Sequence, residues 1–354
     1  MTIKKKLASY RGDNLENMSN RLNKLLFGQN DLSVCPEISD KTQLNIDISS
    51  FCSSKCVYCY YSQSGHHKRG CHIDEDVFFS VANQAFLLGV RDIGLYLTGD
   101  PLTNPKAETY VAFLKNLGYR YIFLSTNGLL CSPPRLERLV DAGMSSIKFS
   151  LSGANEASFL RHHQVNGFET AYSNLRYAYE YRKKHNYQFK IYVYSVVTKQ
   201  NYHQMEQMQN LFMPYCDELI FGRVLNTLNQ LDNILSEMFL SEKDLTPFPI
   251  ANLRPIVPCA SLFNRINVTS EGLLSICCSA FTKHLSNATC VADLREMSLL
   301  DAYYCDAFKN IREKHIKMKV QNTICNRCVF GVNEVMYSAR SNWKAEAFTL
   351  DKLS

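Results

Sequence analysis

The chain has 354 residues, 46% of them hydrophobic and 20% charged, which is long and apolar enough for one large domain and a smaller one. Lys and Arg total 39 against 33 Asp and Glu, a formal charge of +6; this excess is weak, and the basic residues at 4–6 and 309–319 do not alternate with aromatics, so no nucleic-acid partner is indicated. No apolar run approaches the ~20 residues that span a bilayer, and the basic start Met1-Thr-Ile-Lys-Lys-Lys6 meets polar Ser9-Tyr-Arg-Gly-Asp13 in place of an apolar signal core, so a cytoplasmic protein without membrane contact is expected.

Residues 1–43 read as an irregular or partly helical lead-in. From 44 to 225, short β-rich runs alternate with amphipathic stretches. The expected strands are Leu44–Ser50, Ile93–Leu97, Tyr121–Thr126, Ser146–Leu151, Lys190–Val197 and Glu218–Gly222, with helices over 75–89, 105–117, 133–142, 168–185 and 201–213. Strand–helix alternation implies an α/β fold with a mainly parallel sheet. Six units are too few for a closed eight-stranded barrel, so a partial, open TIM-type (β/α)6 barrel is predicted, with ligands at the C-terminal strand ends. Residues 226–254 read as a connector. From 255 to 354 cysteines cluster around a hairpin-like run, Arg265–Ile276, followed by a helix over 299–319. This part reads as a small C-terminal domain.

Fourteen cysteines in a long chain without an export signal point to metal or cluster ligation rather than disulfides. Directly after the first strand stands Cys52-Ser-Ser-Lys-Cys56-Val-Tyr-Cys59. Three thiolates on one short loop can hold three irons of a [4Fe–4S] cube, leaving the fourth iron open to a small chelating molecule. Zinc is the alternative, although structural zinc usually takes four ligands from C-x2-C pairs.

This loop, its place after the first strand and the aromatic Tyr58 before its last Cys resemble the signature of the radical S-adenosylmethionine (SAM) superfamily. The resemblance implies that SAM chelates the open iron and that an electron from the cluster cleaves it to methionine and a 5′-deoxyadenosyl radical, which abstracts a substrate hydrogen. Tyr58 resembles the residue that lies against the adenine. Leu97-Thr98-Gly99-Asp100-Pro101 is similar to the family's Gly-Gly-Glu-Pro motif, which grips the SAM amino group; Asp100 is a methylene shorter than Glu, so the grip would rely more on backbone. Ser125-Thr-Asn127-Gly128 resembles the family's Thr-Asn-Gly turn, although Asn127 would also suit a left-handed position before Gly128. Phe149-Ser150-Leu-Ser152-Gly153 is similar to the Ser-x-Asp-Gly end of strand four, which implies that Ser150 contacts the SAM ribose or carboxylate, with Ser152 standing for an Asp. Arg161, His162 and His163 follow and read as surface or capping residues.

Cys259, Gly272 and Cys277, in a C-x12-G-x4-C spacing, together with Cys325-Asn-Arg-Cys328, look like the auxiliary-cluster domain called SPASM or its shorter form, twitch. Cys259, Cys277, Cys325 and Cys328 would coordinate one auxiliary [4Fe–4S] cluster; Cys278 could replace Cys277, and a four-cysteine zinc site fits the same spacing. No Cys follows 328, which favours the twitch-like form. Cys35, Cys71, Cys131, Cys216, Cys278, Cys290 and Cys305 remain, most as small apolar side chains; one could donate hydrogen to a substrate radical. The resemblance implies a radical SAM enzyme acting on a ribosomally made peptide or protein by crosslinking, epimerisation or oxidation, served by a flavodoxin- or ferredoxin-type reductant. The alternatives are a small-molecule dehydrogenase or epimerase of aminoglycoside-type antibiotic biosynthesis and, from another class, a non-catalytic iron–sulfur or zinc scaffold.

Overall fold

The alternation of β-branched runs with amphipathic stretches resolves, in a computed structural model describing residues 33–63, 70–224, 259, 261–277, 289–323, 325 and 335–338, into one twisted sheet clothed by helices. Six strands come first: β1 (Gln43–Ile46), β2 (Asp92–Leu95), β3 (Tyr121–Thr126), β4 (Ser146–Ser150), β5 (Lys190–Val197) and β6 (Glu218–Arg223). They lie side by side in chain order and all parallel. Four-residue β1 and β2 are buried almost throughout, as strands covered on both faces must be.

Among the described residues, six helices of eight or more residues cross between or follow them: α1 (Glu75–Leu87), α2 (Ala107–Leu117), α3 (Pro133–Asp141), α4 (Glu156–His163), α5 (Phe168–His185) and α6 (Met205–Phe212). Two of them open on side-chain caps that satisfy free amides. The Asp74 carboxylate accepts from the Asp76 and Val77 amides to open α1, and Asn155 and Ser158 form a reciprocal capping box on α4. The apolar sides of these helices and of the sheet form one core, with Phe78, Tyr110, Phe149, Phe159 and Phe212 fully buried.

The C-terminal part extends the same sheet. Strand β7 (Arg265–Val268) pairs parallel with β1, and the hairpin through β8 (Leu273–Ser275) to β9 (Cys290–Asp293) continues antiparallel. Gly272 turns the hairpin at φ 78°, a left-handed conformation that disfavours any side chain. At the opposite edge β10 (Val335–Ser338) pairs antiparallel with β6. The ten strands thus run β10-β6-β5-β4-β3-β2-β1-β7-β8-β9, an open, mostly parallel sheet. The auxiliary hairpin is bonded to the strand that launches the first cysteine loop.

The expected helix over 299–319 is two helices, α7 (Leu299–Tyr303) and α8 (Asp306–Ile316). Arg312 explains the break. Its buried guanidinium donates to the Tyr303 and Leu262 carbonyls and stacks on the Tyr303 and Phe308 rings, so the end of α7 is satisfied by a side chain instead of by continued helix. Arg312 also donates to the Val34 carbonyl, and Tyr304 to that of Pro36, which ties the end of the lead-in to this part. The expected connector 226–254 lies outside the described residues. Among the described residues no helix is long and apolar enough to cross a membrane.

Candidate active site

The Cys52–Cys59 loop leaves the C-terminal end of β1 and is fastened from two sides. From the β2 side, the chain at Gly99 passes directly over it: a Cβ at Gly99 would stand 2.3 Å from the Ser49 carbonyl oxygen and 2.4 Å from that of Phe51. The Asp100 amide and the Thr103 hydroxyl both donate to the Phe51 carbonyl, at 2.8 and 3.1 Å, and the Asn104 amide group donates to that of Ile48 at 2.7 Å. From the α4 side, the Lys55 and Val57 amides donate to the His163 and His162 carbonyls at 2.9 and 3.0 Å. The loop is therefore held by bonds to its backbone from the segment after β2 and from the last turn of α4.

Within it, burial pushes the Cys52 thiol up to about 12 and Cys56 well above its ordinary value, with the neighbouring thiols adding to the effect. Iron ligation reverses this, because a metal-bound thiol is deprotonated outright. Three thiolates on one short loop suit three irons of a cube better than one zinc, which usually takes four ligands. The donor set fits an open [4Fe–4S] cluster.

The strand-end motifs meet around this loop. Thr98 and Gly99 bind Asp47, which follows β1 and is fully buried. The Thr98 hydroxyl donates to its carboxylate, and the Thr98 and Gly99 amides are also bonded to it. Burial nonetheless raises Asp47 to about 7. The native state then keeps a proton that the unfolded chain, with the ordinary value of 3.8, has given up, so stability is whole at low pH and is lost as pH rises towards 7. Wild-type protein is expected to lose about 2 kcal/mol of unfolding free energy between roughly pH 5.5 and 7.5. Asp47→Asn should flatten that slope; denaturant titrations across the range check it, and an unchanged slope in the variant would count against a neutral Asp47.

Asp100 turns inward. Its oxygens accept from the Leu102 amide at 2.9 Å, the Thr126 hydroxyl at 2.8 and 3.1 Å and the Asn127 amide at 2.8 Å, which joins the β2 and β3 ends. Asn127 in turn donates to the Ser53 and Ser54 hydroxyls at 2.9 and 3.0 Å and, at 3.8 Å, to the Cys52 sulfur. The left-handed position of this turn belongs to Gly128, at φ 84°, and Asn127 is a fastener of the cysteine loop. Ser150 ends β4, half-buried and in register with Tyr194. Ser152 is fully buried; its hydroxyl meets that of Tyr58 at 2.9 Å and accepts from the Val196 amide at 3.0 Å. Tyr58 thus points into the same cluster of residues as the cysteines and has its hydroxyl fixed.

The histidine pair corrects its sequence reading. His162 and His163 are both buried, because α4 begins at Glu156 and carries them inward on its last turn. His162 bonds the Ser158 carbonyl at 2.8 Å and the Thr198 hydroxyl at 2.9 Å. His163 stacks on Phe159 at 4.1 Å, accepts from the Ser152 amide at Nε2 (3.1 Å) and faces the Cys56 sulfur with Nδ1 (3.3 Å). Burial holds its pKa down to about 3, so the ring is neutral.

Of the second cysteine group, Cys259 precedes β7, Cys277 follows β8 and Cys325 lies beyond α8, all half-buried; Cys278 and Cys328 lie outside the described residues. The Cys259 amide donates to His315 Nδ1 at 3.2 Å. Cys277→Ala is expected to cut the iron count by about four of about eight per chain, whereas Cys278→Ala leaves it whole; iron and sulfide analysis after anaerobic reconstitution separates the two ligand choices. Of the remaining thiols, Cys131 and Cys216 are buried and Cys35 is exposed.

Two family models match, one for the radical SAM superfamily over residues 46–212 and one for an iron–sulfur cluster-binding domain, SPASM, over 259–329. Among curated proteins, the probable GTP 3′,8-cyclase of Methanococcus maripaludis is 28% identical over 106 residues, 30% of this chain and 35% of that protein. The PqqA peptide cyclase of Gluconobacter oxydans is 28% identical over 119 residues, 34% and 32% respectively. The matches span about a third of these relatives' lengths. Among solved structures, anSMEcpe with bound AdoMet shares the fold at a TM-score of 0.61 and 15% identity, over 81% of this chain and 89% of that one. SuiB of Streptococcus suis bound to its precursor peptide SuiA gives 0.57 and 18% over 78% and 67%. BtrN in complex with AdoMet and 2-DOIA gives 0.52 and 14% over 81% and 91%. The chain belongs to the radical SAM superfamily, as an enzyme that binds SAM at a [4Fe–4S] cluster and carries an auxiliary iron–sulfur domain of the SPASM kind.

Proposed function

We propose that this enzyme modifies a ribosomally made peptide or protein, forming a crosslink, inverting a residue or oxidising a side chain. The observation that carries the reading is the pairing of a radical SAM barrel with a SPASM-type domain in a chain similar to a peptide cyclase. When bound, the cluster and SAM supply a 5′-deoxyadenosyl radical that abstracts a substrate hydrogen. The chain's part is positioning. Cys52, Cys56 and Cys59 hold the SAM-binding cluster, and Cys259, Cys277, Cys325 and Cys328 the auxiliary one. Backbone carbonyls around Thr98, Gly99 and Asp100 receive the SAM ammonium, since the Asp100 carboxylate is engaged by Leu102, Thr126 and Asn127. The Tyr58 ring, fixed through Ser152, would hold the adenine, and Ser150 the ribose or carboxylate. In this reading residues 44–225 form the barrel and 255–354 the auxiliary domain, and a flavodoxin- or ferredoxin-type protein delivers the electron.

The test is anaerobic incubation of reconstituted enzyme with SAM, a reductant and short peptides encoded beside its gene, read by mass spectrometry in deuterated buffer. Loss of two hydrogens or uptake of one deuterium at a peptide residue supports the reading; deoxyadenosine formation with every such peptide unchanged would remove it. A second reading is small-molecule dehydrogenation; BtrN, whose fold this chain shares, was solved with 2-DOIA. Conversion of an aminocyclitol alcohol to its ketone under the same conditions would establish it.

A further inference from the structure

We propose that His163 sets the reduction potential of the SAM-binding cluster by donating a hydrogen bond from Nδ1 to the Cys56 sulfur. The tautomer follows from the partners. The Ser152 backbone amide can only donate, and it donates to His163 Nε2 at 3.1 Å. Nε2 is therefore the bare nitrogen of a neutral ring, and the proton sits on Nδ1, 3.3 Å from the Cys56 sulfur. The ring has no freedom to turn away. It is stacked on Phe159 and buried to 1% exposure, and its own carbonyl holds the Lys55 amide of the same cysteine loop. The Cys52 sulfur has longer contacts, 3.5 Å from the Ser54 amide and 3.8 Å from Asn127.

An N–H dipole aimed at a ligand sulfur stabilises negative charge placed on it, and so favours the reduced cluster. Burial strengthens the effect because little water screens it. The bond also couples two parts of the site: Ser152, which fixes the His163 tautomer through its amide, holds the Tyr58 hydroxyl with its side chain. The inference concerns the cluster and not the substrate, so it stands apart from the choice between peptide and small molecule.

The experiment is an anaerobic redox titration of reconstituted holoenzyme followed by EPR, with the SAM-binding cluster identified as the signal that shifts on SAM addition. His163→Phe keeps the ring on Phe159 and removes both nitrogens; His163→Asn restores an amide donor near Nδ1. The expected result is a lower potential in His163→Phe, with the reduced-to-oxidised ratio at fixed ambient potential falling about tenfold, ~59 mV for one electron. His163→Asn should recover most of the loss, and the auxiliary signal should not move. An unshifted potential in His163→Phe, or an equal shift of both clusters, overturns the proposal. Should His163→Phe fail to load iron, wild-type enzyme with isotope-labelled histidine decides. Electron–nuclear double resonance on the SAM-shifted signal is expected to show a histidine nitrogen and an exchangeable proton coupled to the cluster, and their absence overturns it equally.

Discussion

Gly99→Ala is expected to lower 5′-deoxyadenosine formation at least about 100-fold, the scale set by misplacing reacting groups by an ångström, while the protein stays folded and keeps its auxiliary cluster. The added methyl would stand 2.3 and 2.4 Å from two backbone oxygens, those of Ser49 and Phe51. Neither is the end of a flexible side chain. Relief therefore requires moving either the Thr98–Asp100 turn or the chain that enters Cys52. The turn is held by buried Asp47 and by the bonds of Asp100 to the β3 end, and the loop entrance by Asn104 and Thr103. Overpacking of this kind costs about 1–3 kcal/mol, too little to unfold a domain of this size but enough to shift the loop. The iron of the SAM-binding cluster should fall along with activity, whereas the C-terminal cysteines are remote in sequence from the clash. Wild-type iron content and wild-type deoxyadenosine in the variant would show that the crossing does not fix the loop.

Much of this arrangement was legible in the sequence. The C-x3-C-x2-C spacing and its place after an apolar run located the cysteine loop, and strands β3 and β5 begin and end where their β-branched runs do. Periodicity also fixed α5 at 168–185. Three things stayed hidden, each for a physical reason. Asp47 lies unmarked inside the expected strand Leu44–Ser50, since its partner Thr98 is 51 residues away. The burial of His162 and His163 depends on α4, an eight-residue helix whose polar, short-chained start offers a capping box but little apolar period. Strands β9 and β10 are four residues each and take their order from partners elsewhere in the sheet. Motif spacing picked out the cysteines proposed to hold the cluster; what holds their loop in turn is built from contacts between distant segments, which spacing does not encode.

Two of those distant contacts meet at Asp100, and Asp100→Asn is expected to destabilise the folded protein by about 3 kcal/mol and to reduce SAM cleavage with it. The Asp100 side chain faces donors only: the Leu102 and Asn127 amides and the Thr126 hydroxyl. Asparagine keeps one accepting oxygen and turns an NH2 group towards an amide that can only donate, so a buried N–H loses its partner. Burial raises the Asp100 pKa while these bonds oppose it, so the variant removes the stabilising side of that balance. At roughly 2–4 °C per kcal/mol for a domain of this size, the melting temperature should drop by roughly 6–12 °C. The effect reaches the cluster because Asn127, held by Asp100 through its backbone, holds Ser53, Ser54 and the Cys52 sulfur through its side chain. Asn127→Ala alone breaks the second link of that chain. In the double variant the second substitution acts on a link already loosened, so the two losses of deoxyadenosine formation should fall short of their sum by about 1 kcal/mol in barrier terms. Strict additivity would mean that Asp100 supports the fold without positioning the cysteine loop.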